Sequence, residues 1–187
     1  SGKTLKVYEP LIATVSGSTG ICKGASTMLT AQGGTVYLWS TGETTETITV
    51  SPATSTTYSV TVNNASGCTA TSAAEVNVAD MPVVTITSNR STNLCAGANQ
   101  NLVLTAEGNG IETYSWSDGN DNASILFGEN TNKALVSPTA NTTYTVTVSN
   151  AVGCTATYTQ TVNVRAAYNY SLDSTVCQGT SVTIGTN

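Results

Sequence analysis

Residues 117–122 read Ser-Asp-Gly-Asn-Asp-Asn, the densest run of oxygen-bearing side chains in the sequence. Asp118, Asn120 and Asn122 fall at alternate positions, the pattern by which calcium loops converge oxygens on a hard cation. No correctly spaced glutamate follows to act as a bidentate ligand. A hydrogen-bonded turn therefore fits better, with calcium as the lesser alternative. Glu43 lies close to Glu46, and Glu107 to Glu112. A glycosidase needs two carboxylates opposed across a cleft, but these pairs sit in loop-like stretches and read as solvated acids. Serine and threonine hydroxyls abound, yet the chain has no histidine to activate them, which removes most triad, general-base and zinc chemistry. Gly2-Lys3-Thr4 matches the end of a phosphate loop without the upstream glycine and strand that would give it meaning. The expectation is a chain with no catalytic residue and no cofactor.

Partners are narrowed by charge. Only 9% of the 187 residues are charged, the net charge is -5, and Lys3, Lys6, Lys23, Arg90, Lys133 and Arg165 are scattered singly. Nucleic acid would call for clustered Lys and Arg. No apolar run approaches the ~18 residues of a membrane helix, so membrane insertion of this segment is not expected. The opening Ser1-Gly2-Lys3-Thr4 has no signal-peptide pattern and reads as part of something longer.

The elements that position these residues come in duplicate. Residues 51–69 read SPATSTTYSVTVNNASGCT and residues 137–155 read SPTANTTYTVTVSNAVGCT, identical at 13 of 19 positions. Cys22-Lys23-Gly24 matches Cys95-Ala96-Gly97, and Trp39-Ser40 matches Trp116-Ser117. The spacing from Pro52 to Cys68 equals that from Pro138 to Cys154, and the 13 extra residues of the second copy fall in two loops. Loops absorb insertions that paired strands do not. A third copy opens at Val176-Cys177-Gln178-Gly179. The boundaries expected are a closing strand of a preceding repeat or a leftover at 1–9, repeats at 10–80 and 81–166, and an incomplete third repeat at 167–187.

Tyr58, Val60 and Val62 alternate with Ser and Thr, as do Tyr144, Val146 and Val148, the period of two of half-buried strands. Threonine supplies 36 residues and, with Val and Tyr, favours a pleated surface over a helix. Strands in the first repeat are expected near 11–15, 26–31, 36–40, 47–51, 56–63 and 69–78. Short strands separated by Gly-Gly, Thr-Gly and Ser-Pro point to an all-β fold of tandem immunoglobulin-like antiparallel sandwiches. Trp39 and Trp116 take the place of the central core aromatic, and Tyr58 and Tyr144 that of a tyrosine-corner residue.

The Cys-x-Gly signature, the Trp-Ser-x-Gly turn, Thr-Thr-Tyr-x-Val-x-Val and the Gly-Cys-Thr closing strand together resemble the immunoglobulin-like and PKD-like repeat modules of large secreted and surface proteins of Bacteroidetes. The resemblance covers the chain from about Pro10. It implies a stalk, spacer or adhesive region of an exported protein, its partners being neighbouring repeats and a surface glycan or protein. Asp173-Ser174-Thr175 resembles the short O-glycosylation acceptor of that group, making Ser174 a candidate that intact mass would decide. The long loops of the second repeat (108–111 and 119–131), with Tyr114 and Phe127, are the place to look for ligand contact. A strand-exchanged fibre is a third reading.

Two cysteines per repeat at equivalent positions suggest disulfides in an exported protein. Bonds within repeats, Cys22 with Cys68 and Cys95 with Cys154, are the first expectation. In a standard sandwich these positions lie at opposite ends, whereas a disulfide needs Cα atoms within ~7 Å. Bridges between neighbouring modules, for example Cys22 to Cys154, are the alternative. Cys177 would await the rest of its repeat.

Overall fold

The computed structural model describes residues 9–97 and 99–166, with the backbone of two short strands beyond them. Cys177 and the side chain of Ser174 lie outside the described residues. The chain divides into two compact units, Ser1–Met81 and Pro82–Asn187.

Among the described residues of the first unit the alternating sequence makes seven strands: β1 (Thr14–Gly17), β2 (Gly20–Cys22), β3 (Thr27–Gln32), β4 (Val36–Trp39), β5 (Thr47–Val50), β6 (Thr56–Asn63) and β7 (Thr69–Ala79). They form two sheets, ordered β1-β3-β5 and β2-β7-β6-β4. Leu29, Ala31, Ile48 and Val50 from one sheet meet Trp39, Tyr58, Val60, Val62 and Val76 from the other in one core. Every second residue of β6 points inward and is buried, which is the period of two made physical.

The second unit repeats this with β8 (Thr85–Ser88), β9 (Asn93–Cys95), β10 (Leu102–Glu107), β11 (Thr113–Ser117), β12 (Ile125–Phe127), β13 (Lys133–Val136), β14 (Thr142–Ser149) and β15 (Thr155–Arg165). Its sheets run β12-β13-β10-β8 and β11-β14-β15-β9. The inserted residues after Trp116 thus add an edge strand, β12, paired irregularly with β13. A hairpin of β16 (Tyr168–Tyr170) and β17 (Ser174–Val176) follows.

The start of each unit differs from the expected single strand at 11–15. That strand is split: β1 pairs antiparallel with β3, then the chain crosses and β2 runs parallel to β7 in the opposite sheet. The stretch between them, Ser18-Thr19, is exposed. Thr27, buried, donates its hydroxyl to the Ser18 carbonyl (3.1 Å) and holds the crossing, while Ile21 anchors β2 in the core. In the second unit β8 and β9 divide the same way.

This split corrects the expected cysteine pairing. Cys22 is disulfide-bonded, but Cys68 is a free thiol. Cys22 stands opposite Ala79 at the far end of β7, whereas Cys68 precedes its first residue. Ten steps of strand, about 33 Å, separate those ends, far beyond the ~7 Å a disulfide spans. Cys95 and Cys154 are both disulfide-bonded, yet Cys95 stands opposite Arg165 and Cys154 precedes Thr155, so β15 keeps them apart in the same way.

Candidate functional site

The two repeats build the same frame from the same residues. Trp39 and Trp116 are both buried, and each indole N–H donates to a loop carbonyl at 2.9 Å, Thr45 in one repeat and Thr131 in the other. Asn64 accepts the N–H groups of Ser66 and Cys68, and Asn150 those of Val152 and Cys154, so each β-turn before the last strand is closed by an Asn side chain. Ser55 caps Val78 N–H as Asn141 caps Val164 N–H. The polar sequence is therefore spent largely on its own backbone.

The second repeat departs from this frame at residues 118–124. Asp118 Oδ1 accepts the N–H groups of Asn120 (2.8 Å) and Asn122 (3.0 Å), and Oδ2 accepts the N–H (2.8 Å) and hydroxyl (2.6 Å) of Ser124. Asn122 Oδ1 faces the Asp118 N–H at 3.2 Å. These donors hold Asp121 and Asn122 at positive φ, a conformation Asp and Asn tolerate best among residues with a side chain. Of the candidate calcium ligands, Asp118 and Asn122 thus turn their oxygens toward N–H groups, which a cation would have to displace. Among the described residues, no three His, Cys, Asp or Glu side chains gather to hold a metal ion.

Ser124 also meets the hydroxyl of Tyr144 at 2.8 Å, tying the loop to the core. Tyr144 thus bonds a side chain of the segment that leads into β12. Burial raises the Tyr144 pKa, and the Asp118 charge adds to that rise. Burial pushes the Asp118 carboxyl up as well, but the Ser124 hydroxyl and the N–H groups of Ser124, Asn120 and Asn122 outweigh it and leave the pKa below its ordinary 3.8. A weakened base beside a weakened acid is poorly placed to move protons near neutral pH. The Asp118–Ser124–Tyr144 chain is a clamp. The sequence showed Asp118 as a candidate turn, but nothing marked Ser124 or its bond to Tyr144, which lies 20 residues away.

A pH dependence follows. With its native pKa below the unfolded value, Asp118 contributes stability that is complete above that unfolded value, near 3.8, and is lost as pH falls through the native one. Asp118→Ala should cost the second repeat ~1–2 kcal/mol at pH 7. Urea titrations at pH 7 and pH 3 should show that deficit shrinking in acid; a deficit independent of pH would contradict the clamp.

The remaining candidates are not brought together. Glu43, Glu46, Glu107 and Glu112 are all exposed. Tyr114 packs against the core, whereas Phe127 is 73% exposed on β12, so the two form no aromatic platform. Asp118, Asn120, Ser124, Thr139, Asn141 and Thr142 border a concavity of about 430 Å³ beside the clamp.

No protein-family model matches the chain, and no curated protein does. Among solved structures, a C-terminal 282-residue fragment of intimin, in complex with the intimin-binding domain of its translocated receptor, is similar over 80% of this chain and 63% of that one, at 16% identity and a TM-score of 0.51. The fold is immunoglobulin-like. Fibronectin(III)-like modules of Clostridium thermocellum CbhA (14% identity, 83% of this chain and 95% of that one, TM-score 0.46) and murine CEACAM1b (10%, 83% and 100%, 0.46) are also similar. The immunoglobulin-like units here are all strand, and no helix among the described residues is long and apolar enough to cross a membrane.

Proposed function

We propose that the chain is a non-enzymatic repeat region of an exported surface or secreted protein, of the PKD-like kind, whose immunoglobulin-like modules serve as a stalk or spacer. The observation that supports this best is the shared frame. Two copies that differ by 13 loop residues keep the same buried tryptophan bond and the same Asn-closed turn. Selection for a frame, rather than for a reactive site, would leave that signature. Disulfide-bonded Cys22, Cys95 and Cys154 fit an oxidising compartment outside the cytosol.

A second reading has its own observation. The second repeat carries a polar concavity beside Asp118 and an exposed Phe127, a place where a glycan or protein could dock. A glycan array probed with the whole chain tests both readings. A blank array is the result expected of a spacer; a specific glycan, lost on Phe127→Ala or Asn141→Ala, would replace the spacer by a binding module. Light scattering across a hundredfold concentration range should return the mass of one chain, 19.1 kDa. A mass that climbs with concentration would favour the strand-exchanged fibre instead.

A further inference from the structure

The same edge of the sandwich is filled in one repeat and open in the other. The Thr131 hydroxyl donates to the Lys133 carbonyl (2.8 Å) as the Thr45 hydroxyl does to the Thr47 carbonyl (2.7 Å). This sets β13 and β5 in one register, with Thr49 in the place of Leu135 and Ser51 in that of Ser137. In the second repeat residues 124–127 run along that edge. The Ser137 N–H donates to the Ser124 carbonyl (2.8 Å), Ile125 stands opposite Val136, and Phe127 stands opposite Leu135. From the same segment the Ser124 hydroxyl meets that of Tyr144 at 2.8 Å.

The first repeat has the receiving half of this arrangement. Among the described residues its sheet ends at β5. The Ala31 N–H donates to the Glu46 carbonyl (2.9 Å) and Leu29 stands opposite Ile48. Alternate residues therefore bond β3, and the N–H and C=O of Thr49 face away from it. Thr49 and Ser51 are exposed where Leu135 and Ser137 are half-buried. Tyr58 is 8% exposed against 0% for Tyr144, and Val50 6% against 0% for Val136. Strand β5 reads Thr-Ile-Thr-Val, with neither the charge nor the proline that usually closes an edge to added strands. One feature of shape differs. Ile48 stands where Ala134 does, so a strand laid here must turn inward a side chain smaller than isoleucine.

We propose that the β5 edge of the first repeat binds an extended, uncharged peptide segment of a partner protein by strand addition. The backbone of that segment bonds Thr49 and Ser51, and a serine on it meets the Tyr58 hydroxyl as Ser124 meets Tyr144. Main-chain bonds supply the affinity, while the serine and the small inward residue supply the selectivity. A second copy of this chain fits less well. Its own β5 would turn Ile48 and Val50 inward, bringing no hydroxyl to Tyr58 and too much bulk to Ile48. The proposal goes beyond the spacer reading and does not rest on it: a spacer can carry such an edge, and losing the edge would leave the spacer standing.

Fluorescence anisotropy on the whole chain tests it, with a labelled peptide of residues 122–129 carrying Ile125→Ala. Saturable binding is expected, and it should vanish when the peptide's phenylalanine, the counterpart of Phe127 opposite Leu135, is N-methylated. Tyr58→Phe in the protein and Ser124→Ala in the peptide should each weaken binding about fivefold, the effect of one neutral hydrogen bond. The two changes together should weaken it no more than either alone, because they remove the same bond. Amide hydrogen exchange at Thr49 and Ser51 should slow when the peptide is added. Absence of saturable binding, equal binding of the N-methylated peptide, or protection at Leu135 and Ser137 in place of Thr49 and Ser51 would each overturn the proposal.

Discussion

Replacing Trp116 by alanine should lower the stability of the second repeat by about 3–5 kcal/mol, the usual cost of removing a fully buried aromatic. Trp116 is 1% exposed and packs among Leu102, Leu104, Val136, Val146 and Val148. No larger side chain is available to fill the space it would vacate. The cavity left behind adds to the lost transfer energy because strands on both sides are already paired and cannot close in. Its N–H bond to the Thr131 carbonyl also goes, so the 125–131 segment loses one of the contacts that hold it over the core. Trp116→Phe should cost less, keeping most of the apolar volume but not the hydrogen bond. Urea denaturation followed by far-ultraviolet circular dichroism checks both. A loss below about 1 kcal/mol for the alanine variant would mean the tryptophan is not the keystone its burial indicates. Trp39, 2% exposed with the same bond to Thr45, predicts the same result for the first repeat.

That equivalence explains what the sequence could and could not disclose. The strands expected at 56–63 and 69–78 were legible because alternation and near-identical copies both report on side chains facing a core. β2 and β9 were not legible: three residues with one buried apolar side chain each make no periodic pattern. Their parallel pairing depends on partners far along the chain, Gly20 opposite Asn77 and Asn93 opposite Asn163. The first expectation, bonds within repeats, failed for the same reason, since only the crossing of the first strand reveals at which end Cys22 lies. At 118–124 the turn was readable from Asp, Gly and Asn, which bond locally. Ser124 was not, because its role is set by Tyr144 arriving from another strand. Short-range chemistry is written in spacing; chemistry assembled by topology is not.

Gly33→Ala should be the most damaging single-methyl addition in the first repeat, at about 3 kcal/mol, combining backbone strain with a steric clash. Gly33 follows β3 at φ +111°, and a Cβ there would stand 1.9 Å from the Ile12 carbonyl oxygen and 2.9 Å from its carbon. Both are backbone atoms of the segment that brings the chain into the repeat. They cannot swing aside as a flexible side chain would, so β1 must shift away from β3 to make room, loosening Val15 opposite Ala31. Gly42 is the matched control. Its φ is +94°, but a Cβ there would meet nothing within 4 Å, so Gly42→Ala should cost only the left-handed penalty of about 1–2 kcal/mol. The difference between the two variants isolates the close approach at Ile12. Equal losses in urea titrations would mean that backbone conformation alone accounts for both, and that the incoming segment is not held where it meets the sandwich.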